Sequence, residues 1–294
     1  MEFLQPTSWS DALAAKAEHP EAVAIAGGTD LMVGFNFGRP TPPVLLDLTH
    51  IAELSEWSRD DARIRLGAGV PYSRIISELA RDLPGLATAS RTVGSPQIRN
   101  RATVAGNLGT ASPAGDAHPP LIAAGAVVEA ESVRGQRLIP IDDFFLGVKR
   151  HALAPDELIR AVWLPVAPGP QQFAKVGTRN AMVIAVCSVA VELNPAARRV
   201  GVGVGSAAPT PVRATEAEAF AAEALPWSDG AALDPAFADE FGARVAAASS
   251  PIDDVRGTEA YRRRALAVLG RRALVWAWAE LVDGRAERAG GGSQ

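Results

Sequence analysis

Hydrophobic and polar positions divide this chain at Ala167-Pro168-Gly169-Pro170. Before that linker the apolar runs are short and broken by glycine-rich turns; beyond it, longer strand-like runs are followed by helical stretches. Ser8, with Asp11 three residues on, resembles a capping box and predicts a helix through Ala17 that Pro20 stops. Ala22–Ala26, reading AVAIA, is a buried-strand pattern that runs straight into the tight turn Gly27-Gly28-Thr29-Asp30-Leu31. Leu31–Phe37 reads as a short helix, and Val44–Leu48 as a second buried strand after Pro40, Pro42 and Pro43. Ala62–Ala68 alternates Arg63 and Arg65 with Ile64 and Leu66, as a half-exposed strand does, and Pro71 then opens a helix to about Arg81. Ala126–Glu131 and Gln136–Pro140 form a predicted hairpin around Val133-Arg134-Gly135, and Leu158–Leu164 is a further strand ended by Pro165.

Past the linker, Phe173–Thr178, Val183–Leu193 and Arg199–Ser206 read as strands, the last with Val202 and Val204 alternating with glycine. Helices are predicted over Val212–Ala224, Pro235–Ala247 and Thr258–Val282. Strands followed by helices point to an antiparallel sheet with helices on one face, hence an α+β chain. In the last helix Leu266, Leu269, Ala273 and Trp276 fall at i, i+3, i+7 and i+10, a core-facing stripe rather than a cofactor box. Residues 285–294, ending AGGGSQ, read as a flexible tail, and there is no internal repeat. The expected domains are 1–168, with lobes over about 1–55 and 56–168, and 171–284.

Composition narrows the function. The chain has 294 residues, 48% hydrophobic and 21% charged, with a formal net charge of −4, which gives no basic footprint for nucleic acid. Arg262-Arg263-Arg264 with Arg271-Arg272 is the dense basic run, read as a solvated helix face or a subunit contact. One cysteine, Cys187, excludes an internal disulfide and a four-cysteine iron–sulfur site, and its apolar surroundings suggest a buried inert thiol. His19, His50, His118 and His151 show no metal-ligand spacing, so no metal site is expected. MEFLQPTSWS lacks the features of a signal peptide and no apolar run reaches about 18 residues, so a soluble cytoplasmic protein is expected.

Candidate chemistry centres on Thr92–Ala126. Between Thr103 and Asp116 this stretch collects Gly106, Gly109, Gly115, Asn107, Thr110 and Ser112 without a lysine or arginine. Such residues let a backbone turn tightly, reach positive φ and aim several N–H groups at one phosphate oxygen. The same composition also suits a long surface loop. A helix is predicted from Asp116 through Pro119 to Ala124. The turn at Gly27-Gly28 is not G-x-G-x-x-G, so the Rossmann fingerprint does not apply; two separate glycine-rich segments suit a diphosphate held between two elements.

Ala26-Gly-Gly-Thr-Asp-Leu31, Ser95-Pro-Gln-Ile-Arg-Asn-Arg101, Ala102-Thr-Val-Ala-Gly-Asn107 and Thr110-Ala-Ser-Pro-Ala-Gly-Asp116 together carry a family resemblance. The chain resembles the FAD-binding (medium) subunit of the molybdenum hydroxylases, the xanthine dehydrogenase and aerobic carbon monoxide dehydrogenase relatives. It departs from them at Ala105, where the family often has Gly-Gly-Asn. The resemblance implies a two-lobed FAD-binding domain of the PCMH/vanillyl-alcohol-oxidase type, followed by a C-terminal antiparallel sheet packed with helices. It implies noncovalent FAD that takes electrons from [2Fe-2S] clusters of a small partner subunit and passes them to NAD+ or another acceptor. The molybdenum cofactor would sit on a large partner subunit, in a dimer of heterotrimers.

Carried over residue by residue, Ala26, Gly27, Gly28, Thr29, Asp30 and Leu31 with Thr103, Gly106 and Asn107 would cradle the diphosphate. Thr110 would add a hydroxyl contact and Asp116 would accept from a ribose hydroxyl. Ile159 matches a position whose backbone meets the flavin ring, Lys175 a lysine at the isoalloxazine, and Ile184 a ring-lining position. Each has a plainer alternative: Thr29 and Thr110 as turn residues, Asp116 as a helix cap, Lys175 as a solvated strand lysine and Ile184 as core. At the level of function, the alternatives are a non-redox nucleotide-binding subunit and a self-sufficient flavin oxidoreductase of related fold.

Overall fold

The computed structural model describes residues 1–180, 182–228 and 230–290. Its contacts separate two units: Met1–Glu78 with Val93–Ser112 and Gly125–Val166, and Leu79–Thr92 with Pro113–Ala124 and the chain from Ala167. The second unit thus takes two segments from before the proline-rich linker.

The first unit holds two main sheets. Strands β1 (Glu2–Leu4), β2 (Val23–Ile25) and β3 (Val44–Asp47) pair in parallel in the order β1-β3-β2. Helix α1 (Trp9–Glu18) links β1 to β2, as a parallel pair requires, and Ser8 caps it by accepting from the Asp11 amide at 3.1 Å. Helix α2 (Leu31–Asn36) follows β2, and β3 is buried at every position, which is why it reads as an unbroken apolar run. The larger sheet is antiparallel, β4-β5-β10-β6-β7, built from β4 (Trp57–Arg59), β5 (Arg63–Gly67), β6 (Val127–Ser132), β7 (Gly135–Pro140) and β10 (Leu158–Pro165). Ile64 and Leu66 of β5 are buried, while Arg63 is exposed and Arg65 reaches the buried Glu129 through two hydrogen bonds of 3.0 and 2.6 Å. Shorter pieces complete the unit: α3 (Tyr72–Glu78), α5 (Pro96–Arg99), α6 (Val104–Thr110), α8 (Ile141–Phe144) and the small hairpin β8 (Phe145–Gly147) and β9 (Arg150–His151).

In the second unit, β11 (Gln171–Val176), β12 (Cys187–Asn194), β13 (Arg199–Gly205) and β14 (Val212–Arg213) form an antiparallel sheet in chain order. Val189, Val191, Val200, Val202 and Val204 face a core shared with α9 (Thr215–Ala224), α10 (Pro235–Ala247) and α11 (Glu259–Gly290). Helices cover both faces rather than the one expected, because α4 (Pro84–Arg91) and α7 (His118–Ala124) pack on the other side through Ala89, Ala123, Phe173 and Ala190. That face explains the alternating glycines: a Cβ on Gly201 would stand 2.0 Å from the Ala123 carbonyl oxygen, and one on Gly203 2.1 Å from that of Pro119. The backbone of α7 therefore lies directly on β13.

Several sequence expectations change in the structure. Val212–Arg213 is an edge strand, so the helix expected from Val212 begins at Thr215; β12 begins at Cys187 rather than Val183. Trp276 is 48% exposed while Trp278 is buried, because Trp276 lies about 80° from Leu266 on the side away from Leu274 and Trp278, towards which the buried face extends. Helix α11 continues to Gly290, past the point where a tail was expected, and 291–294 lie outside the described residues. Cys187 is fully buried, and that burial pushes its thiol up to about 11, an inert cysteine.

Candidate functional site

Strand β2 ends at Ile25, and the chain turns through Gly28, at φ +71°, before α2 begins at Leu31. An L residue would be strained at that angle, whereas glycine is not. Gly27 is required for a different reason: a Cβ there would stand 2.0 Å from the carbonyl oxygen of Arg101 and 2.5 Å from its carbon. The backbones of the two sequence motifs thus touch. Among the described residues, no amide from Gly27 through Leu31 donates a hydrogen bond. A run of unspent consecutive N–H groups around a positive-φ glycine is the geometry of an anion nest.

The second motif is a helix, not the glycine loop expected from its composition. Thr103 is the N-cap of α6, its Oγ1 accepting from the Gly106 amide at 2.9 Å, and positive φ appears only at Ala111, where the helix closes. Burial of Val104, Ala105 and Leu108 outweighs the cost of about 1 kcal/mol that each glycine imposes on a helix. One consequence is that the Gly106 N–H is already taken; the amides of Val104 and Ala105, at the first two helical positions, are those with no intrahelical acceptor. Ala105 sits there without strain, since a right-handed helix needs no glycine.

Both motifs line one cavity of about 830 Å³ within the first unit, a volume that suits a large cofactor. Ala26, Gly27, Asp30 and Leu31 come from the first motif, and Thr103, Ala105, Gly106, Gly109 and Thr110 from the second. Ile159, 7% exposed, lines it from β10, next to a break in strand register between Ile159 and Ala161. Gly28, Thr29 and Asn107 lie within the motifs but not on the cavity wall.

Side chains that sequence reasoning did not single out complete the wall. Arg39, Arg101 and Lys149 supply positive charge that the second motif itself lacks. Lys16 is also there, but its ammonium donates to the carbonyls of Pro20 at 2.8 Å and Ala22 at 2.6 Å, and burial lowers its pKa. Burial likewise lowers that of His151, whose Nδ1 is enclosed with no partner among the described residues. These residues are scattered along the chain, and apart from Arg39, which follows Gly38, they carry no local spacing signal.

Asp116 and Lys175 do not line this cavity; the structure brings them together in the second unit. The Lys175 ammonium donates to Asp116 Oδ2 at 2.6 Å and to the carbonyls of Thr92 and Val183 at 3.1 and 3.2 Å. Both side chains are 10% exposed, so Lys175 is not a solvated strand lysine. Burial raises the Asp116 carboxyl against the pull of Lys175, and its Oδ1 is enclosed without a partner among the described residues. Ile184 is 54% exposed, so the core alternative for it is set aside.

Comparison with known proteins decides the family. Residues 1–167 match the family described as the FAD binding domain in molybdopterin dehydrogenase, and residues 172–277 the CO dehydrogenase flavoprotein C-terminal domain. The chain belongs to this family of FAD-binding subunits. It is 32% identical over 282 residues to the nicotine 6-hydroxylase medium subunit of Paenarthrobacter nicotinovorans, covering 94% of this chain and 97% of that one. To the xanthine dehydrogenase FAD-binding subunit of Escherichia coli it is 31% identical over 225 residues, covering 73% and 77%. A solved structure of carbon monoxide dehydrogenase from Hydrogenophaga pseudoflava, in a form lacking the Mo-pyranopterin moiety of its cofactor, superposes with a TM-score of 0.86 at 26% identity, covering 96% of this chain and 98% of that one.

FAD is therefore the cofactor of this oxidoreductase subunit, and the site residues fit it. The unspent amides of Gly27 through Leu31, with that of Ala105, offer donors suited to a diphosphate, and Gly27, Asp30, Leu31 and Ala105 lie on the wall of one cavity. Among the described residues no helix is long and apolar enough to cross a membrane.

Proposed function

We propose that this chain is the electron-transfer subunit of a cytoplasmic, multi-subunit molybdenum hydroxylase, with [2Fe-2S] clusters on a small partner chain and the molybdenum cofactor on a large one. The observation that carries the reading is the run of unspent amides from Gly27 to Leu31, beside the Gly27–Arg101 backbone contact. Backbone donors bind an anion through geometry alone, so the cradle needs no side-chain charge inside the motif. Bound FAD supplies a redox centre that can exchange electrons one or two at a time. The chain's own part is to bind and orient: the loop amides hold the diphosphate, Thr110 adds a hydroxyl on the cavity wall, and Ile159 shields apolar surface from water.

In this reading the electrons pass to NAD+ or another acceptor, and the complex is a dimer of heterotrimers. The relatives' names span nicotine, xanthine and carbon monoxide while each is similar to this one chain, which supports a substrate choice made outside it. The test is to purify the chain alone, confirm that iron and molybdenum are absent, and measure FAD binding and dye reduction with candidate substrates. FAD binding without substrate-dependent dye reduction is expected, with activity restored by the two partner chains. Substrate-dependent reduction by the metal-free chain would overturn the subunit reading in favour of a self-sufficient flavoenzyme.

A further inference from the structure

Helix α2, directly after the nest, ends in a way that returns a cation towards it. The Gly38 amide donates to the Phe35 carbonyl and the Arg39 amide to the Gly34 carbonyl, each at 3.0 Å, with Gly38 at φ +78°. This pair of bonds is a Schellman cap, in which the chain reverses at a left-handed glycine and the next residue folds back along the helix. The residue that folds back is Arg39. Its Cδ would lie 2.9 Å, and its Nη1 3.3 Å, from a Cβ on Gly34, so the missing side chain there leaves the groove in which the arginine stem rests. Gly34 in turn donates to the Asp30 carbonyl at 3.0 Å, so the groove that holds the arginine stem lies about one helical turn, roughly 5.4 Å, beyond Asp30 at the end of the nest.

Two further observations bear on its role. Arg39 lines the same cavity as Gly27, Asp30 and Leu31. Among the described residues its guanidinium has no ion pair or hydrogen bond, whereas Arg74 on the same wall is held by Glu78 at 2.8 Å. A cation positioned by a glycine cap, a glycine groove and a backbone bond, yet left without a counter-charge, is placed for an anion from outside the chain. We infer that Arg39 supplies the counter-charge for the diphosphate of the bound dinucleotide, with the α2 cap as its carrier. The inference rests on the FAD reading and adds a side-chain determinant to a cradle otherwise made of backbone.

The test is titration of the full apo chain with FAD and with riboflavin, which lacks the phosphates, at low and high salt. Arg39→Met should weaken FAD binding about tenfold or more, flatten its salt dependence and leave riboflavin binding unchanged. Arg39→Lys should recover part of the loss, since a point charge replaces the guanidinium fork. Gly38→Ala, which strains the left-handed cap, should weaken FAD binding in the wild-type background and add little to Arg39→Met. Equal loss for FAD and riboflavin would mark a merely structural role and overturn the inference, as would unchanged FAD affinity and salt dependence in Arg39→Met. Wild-type chain that fails to bind FAD would instead overturn the FAD reading itself.

Discussion

Gly27→Ala is the sharpest test of how the two motifs meet. The new Cβ would stand 2.0 Å from the Arg101 carbonyl oxygen, 2.5 Å from its carbon and 2.9 Å from the Ala102 nitrogen, all of them backbone atoms. Real Cβ contacts stay beyond 3.0 Å, so one backbone must recede by about 1 Å from the other. Overpacking of this kind costs about 1–3 kcal/mol of stability. The displacement also moves amides that should point at the diphosphate; losing one hydrogen bond to a charged group is worth about 1.5–3 kcal/mol, or roughly ten- to a hundredfold in affinity. Gly106→Ala is the internal control, because Gly106 is helical and a Cβ there meets only the Thr103 hydroxyl at 3.2 Å. Equilibrium dialysis with FAD, paired with thermal unfolding of the apo protein, reads both effects. Gly27→Ala should lose stability and affinity, while Gly106→Ala should leave apo stability equal or higher by up to about 1 kcal/mol. Gly27→Ala with wild-type melting and wild-type FAD affinity would refute the contact between the motifs.

Other consequences are open to measurement. Burial would raise Glu129, but hydrogen bonds from Arg65 and Trp163 outweigh it and hold the carboxyl below its ordinary range. Its contribution should be complete above the unfolded value of about 4.3 and disappear as pH falls through the lower folded value, and Glu129→Gln should flatten the acid limb of the stability–pH curve. Gly203→Ala, which drives a Cβ to 2.1 Å from the Pro119 carbonyl, should lower Tm by about 2–4 °C for each kcal/mol of overpacking, and an unchanged Tm would count against α7 lying on β13. Asp116→Ala strands the buried Lys175 ammonium and should cost about 3–5 kcal/mol in denaturant unfolding, whereas Asp116→Ala with Lys175→Met should cost less; additive losses would contradict the pairing.

What could be read from the chain followed the range of the interactions involved. Helices α1 and α10 declare themselves because their burial repeats at the helical period, and strands β3 and β10 because they are short, nearly continuous apolar runs with a proline at one end. Strands β1 and β4, three residues each, are too short for any period to develop, and β14 at two residues exists through pairing with β13 alone. Helix α6 was hidden for a different reason: its glycines, threonines and asparagine argue for a loop, while Val104, Ala105 and Leu108, at i, i+1 and i+4, carry the weaker helical signal that burial makes decisive. That difference bears on the chemistry. If the motif were a loop, its glycine amides would be the phosphate donors; as a capped helix it withdraws the Gly106 amide and leaves the donor role to the Gly27–Leu31 turn and the first helical positions. Outside the quoted motifs, which include Arg101, the cations of the wall had no signal except one. Gly38 before Arg39, just past a helical stretch, is a readable C-cap, and the side chain it returns to the helix was therefore the single wall charge that local sequence could have placed.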